Sequence, residues 1–134
     1  DQAANLIEAY LGGRGDLTPG NKQMLHFHAG QMWAMGDQAE KAIGHFKKST
    51  KSSKNDFMRW NDYVEGTIVF LEKDSDKLRS ARDKVSKAKV PVSFNKNLVV
   101  LDMLLKAPKT SYREIFEALI KKSAEKARAS ASKN

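Results

Sequence analysis

Three histidines are the side chains of this chain best placed to titrate near neutrality, and two of them, His26 and His28, form an H-x-H pair. Metal binding on a helix wants imidazoles four residues apart, where both rings share one face. Two residues apart the rings diverge by roughly 160–200°, so one ion cannot take both. His45 falls in the following predicted helix. The expected role of His26 or His28 is therefore half-buried packing, with no metal. The chain has no cysteine, which removes disulfides, thiolate metal sites and cysteine nucleophiles.

No G-x-S-x-G, P-loop or G-x-G-x-x-G pattern occurs. Gly12-Gly13-Arg14-Gly15 is glycine-rich but follows a predicted helix rather than a strand, which is the wrong context for a phosphate cradle. Arg14-Gly15-Asp16 spells an adhesion tripeptide and reads as a tight turn. The carboxylates Glu65, Glu72, Asp74 and Asp76 fall on helix surfaces or caps, without an acid/base pair. These residues predict no enzyme, no cofactor and no metal site.

The elements that carry these residues read as helices throughout. Leu6, Ile7, Tyr10 and Leu11 form a one-sided stripe that Gly12-Gly13 ends. Thr18-Pro19 is a cap followed by proline at the first helical position, and that helix runs to Met35 with Gly36 as its stop. Asp37 and Glu40 have the spacing of a capping box for a third helix, which runs to Lys48. Residues 49–55 are polar and read as a loop. Asp56 caps a fourth helix with Phe57, Trp60, Tyr63, Val64, Ile68 and Leu71 on its apolar side. Asp74 or Ser75 caps a fifth, in which Leu78, Ala81, Val85 and Ala88 recur at three- and four-residue spacing; residues 89–91 stop it at Pro91. Ser93 is the expected cap of a sixth helix over 95–106, broken by Pro108. Ser111 and Glu114 form a second capping box, opening a helix with Tyr112, Ile115, Phe116, Leu119 and Ile120. Residues 64–71 and 99–105 are apolar enough to be strands, but the caps around them favour helix. The expected fold is all-α.

Composition agrees with a folded domain. In 134 residues, 40% are hydrophobic and 30% charged, which argues for one domain and against disorder. The longest apolar runs, 98–101 and 68–71, fall far short of the ~20 residues a membrane span needs. Asp1 opens the chain with neither an initiator methionine nor an apolar leader, the pattern left by removal of a signal segment or by trimming, so a cytoplasmic and an exported location are both open. The net charge is +8. Lys47, Lys48, Lys51 and Lys54 form a run without an acid, and residues 77–89 hold six cations against Asp83. Lys77, Arg79, Arg82 and Lys84 form a candidate basic patch there. Such a surface suits acidic partners, nucleic acid among them, although no aromatic residues interleave with these cations for base stacking. The ordinary alternative is a solubilising surface.

Spacing then suggests a repeat. Ala42 lies four residues before Phe46, Trp33 thirteen before it, and Ala29 and Gly30 four and three before Trp33. The offsets recur around Phe116, with Tyr112, Met103, Val99 and Val100, seventy residues on. Small residues such as Gly30 and Ala42 let two helices approach, while Trp33 and Phe46 fill the space beside the contact. A period near 34 residues marks stacked helical hairpins.

Residues 22–53 resemble a tetratricopeptide repeat (TPR), through Ala29, Gly30, Trp33, Ala42 and Phe46, with Asp37 at the turn. The second hairpin departs from the pattern, because Arg82 falls at an aromatic site, and the third loses the small residues. The resemblance implies one right-handed α-solenoid domain over 1–122, with a capping helix at 1–13 and hairpins at about 19–49, 56–89 and 94–122. Residues 123–134 would be a basic, frayed tail. It also implies a concave face lined by the first helix of each hairpin, where Phe27, Gln31, Met35, Trp60 and Tyr63 are the candidate partner-binding residues. Phe27 and Gln31 stand where one TPR subgroup carries lysine and asparagine to grip a C-terminal carboxylate, so that clamp is not expected. The implied function is a non-enzymatic protein-interaction module for a protein or peptide, with an acidic one favoured by the charge. A basic helical nucleic-acid-binding protein is the alternative.

Overall fold

The structure, a computed structural model, describes residues 2–133. Among them are seven α-helices and no strand: α1 (Gln2–Gly13), α2 (Pro19–Met35), α3 (Ala39–Lys47), α4 (Trp60–Leu71), α5 (Ser75–Val85), α6 (Lys96–Lys106) and α7 (Tyr112–Ser132). None is long and apolar enough to cross a membrane. Each helix packs on its neighbour in sequence, and α7 also returns to touch α2.

Two of the connections share one geometry. After α2, the N–H of Asp37 donates to Ala34 and that of Gln38 to Trp33; after α4, Lys73 donates to Phe70 and Asp74 to Val69. This is the Schellman pattern, in which the last orphan carbonyls of a helix are satisfied by a residue in the left-handed region. That residue is Asp37 in one turn (φ 59) and Lys73 in the other (φ 61), neither of them glycine. Asp37 therefore ends α2 and does not cap α3, whose flanking Gln38 makes no side-chain cap bond. The expected capping box fails because the backbone of Asp37 is already committed to the preceding helix.

The two turns lie thirty-six residues apart, and so do Phe27 and Tyr63, Gly30 and Gly66, and Ala42 and Leu78. The glycines do the same job: a Cβ on Gly30 would sit 2.7 Å from the Phe46 ring, and one on Gly66 would sit 2.8 Å from a Leu101 methyl. The third hairpin keeps the pattern only when counted from its cap. Ser111 accepts from the N–H of Glu114 at 3.2 Å. Four positions past the caps stand Ala42, Leu78 and Ile115, all buried. Tyr112 is thus the first residue of α7, not the counterpart of Ala42.

Other starts are also displaced from expectation. The sixth helix is capped by Asn95, whose amide oxygen accepts from Leu98 and whose amide nitrogen donates to the Val85 carbonyl at 3.1 Å, joining α5 to α6. Ser93 lies in a short turn before it. Asp56 does hold the start of α4, through both carboxylate oxygens, which accept from Trp60 and Asn61 at 2.6 and 2.9 Å. Phe57 lies outside that helix and is 73% exposed. In α1, Leu6 and Tyr10 point outward and only Ala4 is buried, so the stripe seals the core less than its pattern suggests. Residues 123–132 continue α7 as exposed helix.

Candidate functional site

The five residues expected to line an open face are mostly inside. Phe27 is the centre of an aromatic cluster, with ring centroids 5.2 Å from Phe46, 4.7 Å from Trp60 and 5.7 Å from Tyr63. Phe27, Gln31 and Tyr63 are buried; Met35 and Trp60 are half-buried against the core. Two interactions explain the closure. The indole N–H of Trp60 donates to the Ser49 carbonyl at 2.7 Å, fastening the loop after α3. Tyr112, at the start of α7, lies beside Gln31, where α7 returns to touch α2. The face the sequence assigns to a partner is thus largely closed by packing among α2, α3 and α4, with α7 returning against α2. Burial pushes the Tyr63 hydroxyl well above its usual range and the Tyr112 hydroxyl up to about 12, so both stay neutral.

The residues the sequence assigns to repeat packing lie inside. Ala29, Gly30, Trp33, Ala42 and Phe46 are all buried where α2 meets α3.

The basic patch is not one field of free cations. Arg82 donates from Nε to Asp102 at 2.6 Å, tying α5 to α6, and reaches Asp83 at 3.4 Å. That pairing holds its guanidinium pKa above the ordinary value. Lys77 lies 3.8 Å from Asp74. Arg79 and Lys84 line a shallow depression that also holds Asp76 and Asp83. An arginine at the site of the first hairpin's Phe46 is therefore accommodated by a carboxylate across the helix interface.

The site that the sequence did not reveal is a polar chain joining α1, α2 and α3. Glu8 Oε1 accepts from the Trp33 indole N–H at 2.8 Å and lies 2.8 Å from His45 Nε2. On the other side of the same ring, His45 Nδ1 lies 3.0 Å from His26 Nδ1. An ionised Glu8 requires a proton on His45 Nε2. One further proton then serves both Nδ1 atoms: it lies on His26 when His45 is neutral, and on His45 when that ring is charged. A second proton between them would set two N–H groups against each other. Hydrogen bonds from His45 and then Trp33 hold the Glu8 pKa below the ordinary carboxylate value. Burial, with the His45 and Lys48 charges, holds His26 below the ordinary imidazole value.

Lys41 and Lys48 border this cluster, and the Lys41 ammonium sits 4.2 Å from the Trp33 ring centroid. No serine, threonine or tyrosine hydroxyl lines the cleft beside Glu8 and His45. Nor do three histidine or carboxylate side chains converge anywhere among the described residues as a metal would need. The geometry suits a proton-dependent tie between helices. His28 takes no part; its Nδ1 lies 3.1 Å from the Gln31 amide oxygen. The one legible hint was a histidine on each of two helices predicted to pair. Glu8, thirty-seven residues from His45, gave none.

No family model matches this chain, and neither does any curated protein or solved structure.

Proposed function

We propose that this chain is a TPR-like array of helical hairpins that acts as a non-enzymatic protein-binding module. The supporting observation is the repetition of one hairpin design at thirty-six residues: the same left-handed turn at Asp37 and Lys73, with a close-contact glycine, Gly30 or Gly66, seven residues before each. Hairpins of this kind bury their apolar faces by stacking, and α6 and α7 here leave an open groove lined by Val99, Val100 and Leu119. The net charge of +8 favours an acidic partner.

Purification of the tagged full chain from its native extract, with nuclease treatment, tests the reading. One acidic protein retained at stoichiometric yield is expected. The opposite result is micromolar binding to single-stranded RNA or duplex DNA with a steep salt dependence, and no protein retained after nuclease. Counterion release would then identify a nucleic-acid binder.

A further inference from the structure

The α6–α7 hairpin leaves a groove that no other part of the described residues fills. It measures about 530 Å³ and has an apolar lining of Val99, Val100 and Leu119. Lys96 enters it from the α6 side, and Lys122 and Lys126 from α7. None of these lysines makes an ion pair among the described residues. Val99, in the first turn of α6, is 49% exposed and stands beside Val100 and Leu119 in this groove. The α7 wall carries Ser123 and Ala127, small enough for another backbone to approach. Residues 121–132 extend that wall by about 18 Å of helix.

We propose that this groove receives an acidic amphipathic helix of a partner protein. An apolar strip with Lys96 on one side and Lys122 and Lys126 on the other matches a helix with leucine-type residues at three- and four-residue spacing and flanking glutamates or aspartates. Charge excludes the main competitor: a second copy would bring its own +8 against these lysines. Nucleic acid offers the anions but nothing for Val99, Val100 and Leu119. The proposal rests on the protein-binding reading above and names the surface and the kind of partner.

The test is a titration of the full chain with a panel of synthetic acidic amphipathic helical peptides, followed by amide chemical shifts and fluorescence anisotropy. Saturable one-to-one binding is expected, with shift changes centred on Val99, Val100, Leu119 and Ser123. Lys122→Glu with Lys126→Glu should weaken it by about tenfold or more. These side chains are exposed, so the melting curve should not move. Lys84→Glu with Lys87→Glu, on the other basic surface, should leave binding within about twofold.

The proposal is overturned by no binding across the panel, equal binding of scrambled peptides with the same charge, equal loss in both lysine pairs, or a concentration-dependent dimer that seals Val99 by itself. Shift changes confined to another face would sink the groove and leave the protein-binding reading intact. A nucleic-acid complex that survives Val99→Glu but not the lysine changes would sink both.

Discussion

Eight positions past its cap, the first hairpin places Phe46 and the third places Leu119. Phe46 is fully buried, its ring against Gly30 on one side and Phe27 on the other. Leu119 is half-buried and lines an open groove. The local chemistry of the two positions is alike; what differs is the neighbour. The first hairpin has α1 on one side and α4 on the other, whereas α7 packs on α6 and α2 and leaves its Leu119 side open to a groove. A hairpin buries one face by itself and needs a second body for the other. Among the described residues that body covers Phe46 and leaves the Leu119 groove open.

The largest expected effect breaks the closed end. Trp33→Ala removes a ring that is 4% exposed, together with its bond to Glu8, and should cost about 3–5 kcal/mol in urea unfolding. Leu119→Ala, at the open end, should cost less than half of that. Gly30→Ala forces a methyl against a ring that cannot retreat and should cost about 1–3 kcal/mol, measured the same way. Gly12→Ala, where nothing lies within 4 Å, should cost nothing.

The polar chain comes next. Glu8→Gln should cost about 1 kcal/mol, the low end for a charged hydrogen bond, because Glu8 is 40% exposed. Its pH signature sharpens the point. Glu8 and His26 both have folded pKa values below their ordinary ones. Acid therefore protonates the unfolded chain first, and stability declines as pH falls below the ordinary pKa of each group. The His26 contribution is complete above the ordinary imidazole pKa and is lost as pH falls through its lowered folded value; that of Glu8 is lost further into the acid range. Chemical melts across that span should show the decline, and Glu8→Gln with His26→Gln should flatten it.

Smaller effects compare the two turns. Lys73→Gly relieves a left-handed backbone and should raise stability by about 0.5–1 kcal/mol. Asp37→Gly should gain less, because aspartate tolerates that region better than lysine. The smallest effect is deletion of residues 123–134. That segment is exposed where described, and its loss should change stability by no more than about 0.5 kcal/mol while abolishing peptide binding in the groove.

Much of this molecule was legible in the chain. Thr18 accepts from Asn21, Asp74 from Lys77 and Ser111 from Glu114, each where local spacing placed a cap. Leu78, Ala81, Val85 and Ala88 are buried as their periodicity requires. Local reading failed where one residue satisfied two rules. Asp37 suited an N-cap and a left-handed turn equally, and Ser93 and Asn95 were both acceptable caps until Asn95 also reached the Val85 carbonyl.

The candidate site was harder, because its members are brought together by packing rather than spacing. Phe27, Gln31 and Tyr63 lie on a genuine helix face, but packing among α2, α3 and α4 and the return of α7 to α2 decide whether that face meets water. Likewise, Glu8, His26 and His45 come from three helices and have no common spacing in sequence. Helix identity and most caps follow from interactions within a few turns of chain, and the sequence determined them by itself. Which faces close, which carboxylate meets which imidazole, and which groove stays open depend on contacts between distant segments, and only the tertiary structure decided them.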